Sequence, residues 1–476
     1  MNFWDLDHPS TNPALIDGAN GRRWSYGDLK RAVGLFSASL GNNARKQLGF
    51  ILCSNTPECI AAYIGSLQSN TAAVLFSADL PGELLSRLVT VYRPDWIFAG
   101  SAIRPSAGYS IAETTGVCCL WRSHNVEERD ISSELGLLLS TSGSTGTPKL
   151  VRLSHINLQA NAGSICDYLG LHEKERPITS LPMAYSYGLS VINSHLLVGA
   201  PILLTNDSVM QKAFWEFIST ERATSFAGVP YTYQMLLRAG LLQRDLPILT
   251  WTQAGGRLET KYIEQVHAIA LSKEWRFFVM YGQTEATARI SYLPPEQLAT
   301  NPGSIGIPIP GGDLRVDFES GELVYSGRNV MLGYAENIQD LSKGDELKGE
   351  LYTGDLGRQD ENGFFHVTGR KKRFLKVLGL RLSLDDVEVT LARHFDSPLA
   401  CFGTDDALRV AVEDPSLTGP VLRLCCEVFK LHHSVVRVSH VERLPLTDNG
   451  KTDYGVLATL GLGTERSSAG ARAGVS

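Results

Sequence analysis

Short, continuous apolar runs alternate with helix-like segments through the first three hundred residues of this chain. "GFILCSN" (49–55) is followed by the helical pattern of "TPECIAAYIGSLQSN", with Asn55 or Thr56 as cap and Pro57 at the first helical position, and then by a second run, "TAAVLFSA". The alternation continues in "PDWIFAG", "GLLLSTS", the helix-like "HINLQANAGSICDYLGL", "PITSLPM", "GAPILLT", "TSFAGVP", "PILTWTQAGG" and "WRFFVMYGQTE". A strand that is apolar along its whole length must be covered on both faces. The runs therefore predict an α/β fold with a mostly parallel sheet between helices.

From about residue 301 the pattern changes to short alternating strands with Gly-containing turns, as in "GGDLRVDFESGELVYSGRNVMLGY" and "GELYTGDLGRQDENGFFHVTGR", which predicts antiparallel β-structure. The basic, turn-flanked "GRKKRF" (369–374) marks a boundary, beyond which a small α+β pattern follows. Its helix "LDDVEVTLARHF" carries Asp385 and Asp386 in the first turn, where they complement the helix dipole. At 476 residues the chain has room for two to four cores. The expectation is a large N-terminal domain over 1–369, built of parallel α/β subdomains plus a small β subdomain. A small C-terminal domain spans 370–460, and a polar tail, 461–476, reads as disordered.

The net charge of −6 argues mildly against non-specific nucleic-acid binding, which needs a basic face, and no nucleic-acid partner is expected. Eight cysteines lie mostly in apolar runs such as "VCCLW" and "RLCCEVF", with no CxxC pair, and read as buried, reduced thiols of a cytoplasmic protein. The start "MNFWDLDHPS" lacks the basic and apolar regions of a signal peptide. No apolar run approaches the ~20 residues of a membrane span, so no transmembrane segment is expected.

One loop stands out. "LLLSTSGSTGTPKLVRLSH" (137–155) is an apolar run that ends in Ser, Thr and Gly and then in Lys149. Such a loop offers backbone N–H groups and hydroxyls to phosphate oxygens, with a lysine for charge, although a Ser/Thr/Gly cluster alone is equally a surface loop. It is not a Walker A loop, because Thr147 and Pro148 separate Gly146 from Lys149 and Leu150 follows the lysine. A P-loop ATPase or kinase is rejected on that spacing.

The loop is followed in order by "YGQTEA" (281–286), "YTGDLGR" (352–358), "GRKKRFLKVLGLRL" (369–382) and "LPLTDNGKTDY" (444–454). Together the five motifs resemble the AMP-forming adenylating superfamily of acyl-CoA synthetases, aryl and fatty acyl ligases and nonribosomal-peptide adenylation domains. The resemblance covers roughly residues 15–455. It implies that a carboxylate attacks the α-phosphate of ATP, with Mg2+ as cofactor, and that the acyl-adenylate is then captured by a thiol.

The resemblance also assigns roles. Thr141, Ser142, Gly143, Ser144, Thr145, Gly146 and Lys149 would grip the β- and γ-phosphates. Tyr281 would stack on adenine, beside Gly282 and the segment "QAGGRL" with Gly255 and Gly256. Thr284 would bond the α-phosphate and Glu285 would bind the metal. Asp355 would hold the ribose hydroxyls with help from Arg370. Lys451 would bridge the carboxylate and the α-phosphate as they join, a task suited to a compact ammonium. For the second step the C-terminal domain would rotate on a hinge at Lys372, bringing in Lys376 and Gly379 beside the pantetheine arm.

Amino-acid-activating relatives carry an Asp where this chain has Gly188, so an α-amino acid is not expected: its ammonium would be buried unpaired. A pocket of Tyr185, Tyr187, Ser190, Gly228, Val229 and Ala254 is small and mainly apolar, which favours a neutral fatty, aryl or short branched acid. No carrier domain follows Lys451, so the enzyme is read as freestanding, with coenzyme A or a separate acyl or peptidyl carrier protein as acceptor. No basic run suits the 3′-phosphate of coenzyme A, which tilts the reading toward a carrier protein. The competing reading is a nucleotide or acyl-adenylate sensor of the same fold without turnover.

Overall fold

The structure is a computed structural model that describes residues 1–41, 44–105, 108–125, 128–140, 149–371, 373–377, 380–404, 407–447 and 450–462. The first βαβ unit forms as its sequence dictates. Strand Gln47–Cys53 is buried along its length, and the Thr56 side chain caps helix Pro57–Gln68 by accepting the Cys59 N–H at 3.3 Å. Strand Thr71–Ser77 then returns parallel to the first. With Trp96–Gly100 and Leu135–Ser140 these strands make the parallel centre of an eight-stranded sheet.

The edges of that sheet are antiparallel. Leu150–Ser154 and Gly333–Ala335 close one side, and Cys118–Ser123 and Tyr109–Thr115 close the other. The expected mostly parallel sheet thus holds at the centre only; of the antiparallel strands, Leu150–Ser154 is buried throughout while Tyr109–Thr115, at the edge, is largely exposed. "PITSLPM" forms no strand. It makes two isolated bridges, Pro177 to Ser225 and Ile178 to Leu203, because Pro177 and Pro182 have no N–H to give to a ladder.

A second sheet holds the parallel strands Ser225–Gly228, Thr250–Gln253 and Arg276–Tyr281, extended by antiparallel Ser291–Leu293 and Ile307–Pro308. All three parallel strands end side by side, at Gly228, Gln253 and Tyr281. The crevice beyond the carboxyl ends of parallel strands is where open α/β sheets bind ligands. The expected antiparallel unit follows: Gly312–Val316, Glu322–Gly327, Glu350–Gln359 and Phe365–Arg370 form one four-stranded sheet.

The C-terminal region begins with the hairpin Phe374–Val377 and Leu380–Ser383 and the helix Leu384–His394, whose Asp386 N–H is capped by the Ser383 side chain. It adds the sheet Leu399–Thr404, Ala407–Val412 and Val436–His440, helix Thr418–Val428 and a last helix, Tyr454–Leu462. Val387, Leu391, Val410, Val421 and Cys425 form its own core. The last helix includes residues 461 and 462, which the sequence placed in the disordered tail; residues 463–476 lie outside the described residues. The region rests on the large one through Arg443 against the Tyr231 hydroxyl and Lys261 Nζ to Asp396 at 2.7 Å.

All eight cysteines are free thiols; seven are buried and Cys426 is half-buried. Among the described residues no helix is long and apolar enough to cross a membrane.

Candidate functional site

The crevice is built on backbone that tolerates close approach. After strand Thr250–Gln253, Gly255 adopts φ +85°, a conformation that favours glycine, and a Cβ there would stand 2.5 Å from the Tyr185 hydroxyl. Gln253 fixes this turn by donating from Nε2 to the Gly256 carbonyl at 3.0 Å. Gly282 passes so close to the Ala288 carbonyl that any side chain would overlap it. Beyond it the chain makes a 3-10 turn, Thr284–Ala286. The Thr284 hydroxyl lies 3.1 Å from that of Ser186, the first residue of helix Ser186–Val198. A hydroxyl pair at a helix N-terminus is suited to phosphate oxygens.

One side of the crevice is acidic and lies on the antiparallel sheet. Asp355 sits in register with Arg370 across two strands, and its carboxylate accepts from Arg370 Nε at 3.1 Å and from the Tyr281 hydroxyl at 2.5 Å. Burial raises the Asp355 carboxyl above its ordinary value, partly offset by the Arg370 guanidinium. Glu285 accepts from the Tyr334 hydroxyl at 2.7 Å. Lys149 reaches the same place from the strand Leu150–Ser154, with Nζ 2.6 Å from Glu336 and 5.9 Å from the Tyr334 ring. Sequence reasoning missed Tyr334, Glu336 and Ser186, which no motif marks.

Lys451 arrives from the far end of the chain. Its turn is closed by the Thr447 N–H on the Lys451 carbonyl at 2.7 Å and the Gly450 N–H on the Thr447 carbonyl at 2.8 Å. Gly450, at φ +70°, packs on Val229, where a Cβ would meet Cγ2 at 3.1 Å. The ammonium lies over the Tyr185 ring, 5.8 Å from its centroid. Burial lowers the Lys451 ammonium below its ordinary value and the nearby Arg370 lowers it further, while Glu285 and Asp355 raise it. The structure therefore gathers Thr284, Glu285, Asp355, Arg370 and Lys451 at one crevice, with Tyr281 at its wall.

Tyr185 and Tyr187 stand edge to face, with centroids 6.3 Å apart. Burial pushes the Tyr185 phenol up to about 12. The Tyr187 hydroxyl is taken by Thr252 Oγ1 at 2.8 Å, and Ser190 spends its hydroxyl on the Tyr187 carbonyl at 2.7 Å. Val229 and Ala254 are buried beside Tyr185, and Gly228 presses on the Tyr233 ring. A side chain at Gly188 would overlap the Pro182 carbonyl, so an acidic residue has no room there. Behind this wall lies a narrow cavity of about 20 Å3, lined in part by Ser190, Thr252, Met280 and Arg289. Arg289 is a further residue that the sequence reading missed.

Thr141, Ser142, Gly143, Ser144, Thr145, Gly146, Lys372 and Gly379 lie outside the described residues, and Lys376 is described only as part of the strand Phe374–Val377.

A family model for AMP-binding enzymes matches residues 4–335. The long-chain-fatty-acid–CoA ligase of Salmonella typhimurium is 28% identical over 397 residues, covering 78% of this chain and 67% of that ligase. The L-proline–[L-prolyl-carrier protein] ligase of Pseudomonas fluorescens is 25% identical over 446 residues, 87% of this chain and 85% of that protein. The fold matches that of o-succinylbenzoate CoA synthetase from Bacillus subtilis in complex with its acyl-adenylate intermediate, with a TM-score of 0.77 at 21% identity over 96% of this chain and 98% of that one. The same synthetase with ATP and a magnesium ion matches with a TM-score of 0.73 at 21% identity, over 95% of this chain and 98% of that one. With a parallel-sheet crevice that gathers these motif residues, and a family model matching more than half its length, the chain belongs to the AMP-binding enzyme family.

Proposed function

We propose that this protein is an ATP-dependent acid–thiol ligase. A carboxylate oxygen attacks the α-phosphorus of ATP, the bond to the β-phosphate oxygen breaks, and acyl-AMP and pyrophosphate form. A thiol then attacks the acyl carbon, loses its proton and releases AMP. The observation that carries this reading is the Lys451 ammonium, half-buried over Tyr185 in the same crevice as Glu285, Asp355 and Arg370. A cation delivered there from a separate region suits the point where two anions must meet.

In this reading Lys451 neutralises the carboxylate and the α-phosphate, Thr284 and Ser186 hold phosphate oxygens, and Asp355 with Arg370 orients the ribose. Lys149 and the loop before it hold the outgoing pyrophosphate. Among the described residues no group of three or more His, Cys, Asp or Glu could hold a metal ion. The single carboxylate of Glu285 fits an Mg2+ that arrives with the nucleotide, since that ion takes one or two protein carboxylates and completes its shell from phosphates and water. When bound, Mg2+ supplies further charge neutralisation.

For the second step we propose that the C-terminal region, 370–460, turns about Lys372 and withdraws Lys451 so that a pantetheine thiol can enter past Gly379 with Lys376 nearby. The acceptor is coenzyme A or a separate carrier protein; relatives of both kinds support the shared pantetheine chemistry. Pyrophosphate exchange into ATP that depends on an added carboxylic acid tests the first step, and thioester formation with coenzyme A and with holo-carrier protein tests the second. Exchange that no acid supports would overturn the reading.

A further inference from the structure

Adenylation as described leaves one buried charge without a task. Arg289 is 3% exposed, and its guanidinium lies on the Tyr187 ring, 4.0 Å from the centroid. Nη1 donates to the carbonyl of its own neighbour, Ala288, at 3.2 Å, and the Tyr168 phenol stands beside the group. Nε has no hydrogen-bond partner, and among the described residues no carboxylate pairs with Arg289. Buried arginines are almost always paired, because an uncompensated charge in a protein interior is costly. The cost is relieved when a bound group brings the missing anion.

The surroundings have the matching chemistry. Arg289 lines the narrow cavity behind the tyrosine pair, together with Ser225 and His195, and the Ser225 hydroxyl and His195 Nε2 also lack partners. The His195 Nδ1–H is spent on the Val191 carbonyl at 2.8 Å, and burial holds the ring neutral, down to about 4, so Nε2 is an acceptor and leaves Arg289 and the Ser225 hydroxyl as the donors for an anion. The remaining walls mix apolar side chains, such as Met280, Phe226 and Ile178, with the hydroxyl residues Ser190, Ser194, Thr250 and Thr252. Two cations therefore face one aromatic pair: Lys451 lies over Tyr185, where the reacting carboxylate belongs, and Arg289 lies over Tyr187.

We propose that the acid activated here carries a second carboxylate at the end remote from the reacting one, held by Arg289 and the Ser225 hydroxyl. This inference rests on the ligase reading and replaces the neutral acid expected from the sequence with a short dicarboxylic acid. The cavity, at about 20 Å3, holds little more than one water-sized group, so a carboxylate enters beside Arg289 only as the lining side chains give way, and a long alkyl chain has no place beyond it.

The test compares succinate, glutarate, adipate and phthalate with their monomethyl esters in pyrophosphate exchange, using the wild type, Arg289→Met and Arg289→Lys. The expected result is at least a ~10-fold higher kcat/KM for a diacid than for its monoester, as a charge-assisted pair supplies. That preference is lost or reversed in Arg289→Met and partly kept in Arg289→Lys. A thermal-shift titration runs beside it: a diacid should raise the Tm of the wild type but not that of Arg289→Met, which itself should melt no lower than the wild type. Equal use of diacid and monoester by the wild type, or the same preference in Arg289→Met, would overturn the inference and leave the ligase reading standing. Absence of exchange with every acid would overturn the ligase reading instead; the thermal shift would then still decide whether Arg289 binds a diacid.

Discussion

Gly255→Ala is the substitution whose consequence the structure fixes most closely. The native φ of +85° costs a residue with a side chain about 1–2 kcal/mol. The new Cβ would stand 2.5 Å from the Tyr185 hydroxyl and 3.1 Å from Val229 Cγ1, so Tyr185 must move, with about 1–3 kcal/mol of overpacking. Because Lys451 lies on the Tyr185 ring, the displacement reaches the reacting carboxylate, and the KM for the acid should rise ~10-fold, more than the KM for ATP. The control is Tyr185→Phe. With the hydroxyl gone, the nearest atom of that ring is Cζ at 3.6 Å, an ordinary contact, while the backbone cost remains. The two substitutions should therefore couple by about 1 kcal/mol, the double variant recovering most of the acid KM but only part of the Tm. Equal losses from Gly255→Ala in the wild type and in the Tyr185→Phe variant would refute this account of the crevice.

Other expectations follow from the same geometry. Burial lowers the Lys451 ammonium below 10.5, so between its folded value and 10.5 the unfolded chain binds the proton and the native chain does not; the ATP-free protein gains stability as pH rises through that window. The kcat/KM for ATP should fall over the same window, and Lys451→Arg should remove the fall in a pH–rate profile. Asp355→Ala removes the acceptor of both Tyr281 and Arg370, and at ~1 kcal/mol for each ribose hydrogen bond lost the KM for ATP should rise roughly 10–30-fold while that for the acid changes little. A steady-state titration of each substrate separates the two.

The central strands were legible because burial on both faces leaves their interior positions apolar: Gln47–Cys53, Thr71–Ser77 and Leu135–Ser140 read as apolar runs in the chain itself. Helix Pro57–Gln68 was legible from its cap and its proline. The antiparallel edges were not, since strand direction depends on which distant segment pairs, as when Gly333–Ala335 joins Leu150–Ser154. Five motifs marked the nucleotide side, and the folded chain brings Glu285, Asp355, Arg370 and Lys451 to one crevice. Arg289 gave no signal, because an arginine after a turn is ordinarily solvated. Its burial follows from the antiparallel return of Ser291–Leu293 along Arg276–Tyr281, which carries the residue under Tyr187.

The central claim is that a lysine from the C-terminal region completes the adenylation site and serves no other step. Lys451→Ala should lower acid-dependent pyrophosphate exchange by about 10²–10³-fold, the loss typical of one charge-stabilising group. The same variant should still convert a supplied acyl-adenylate to thioester at close to the wild-type rate. Undiminished exchange, or equal loss of both half-reactions, would contradict it.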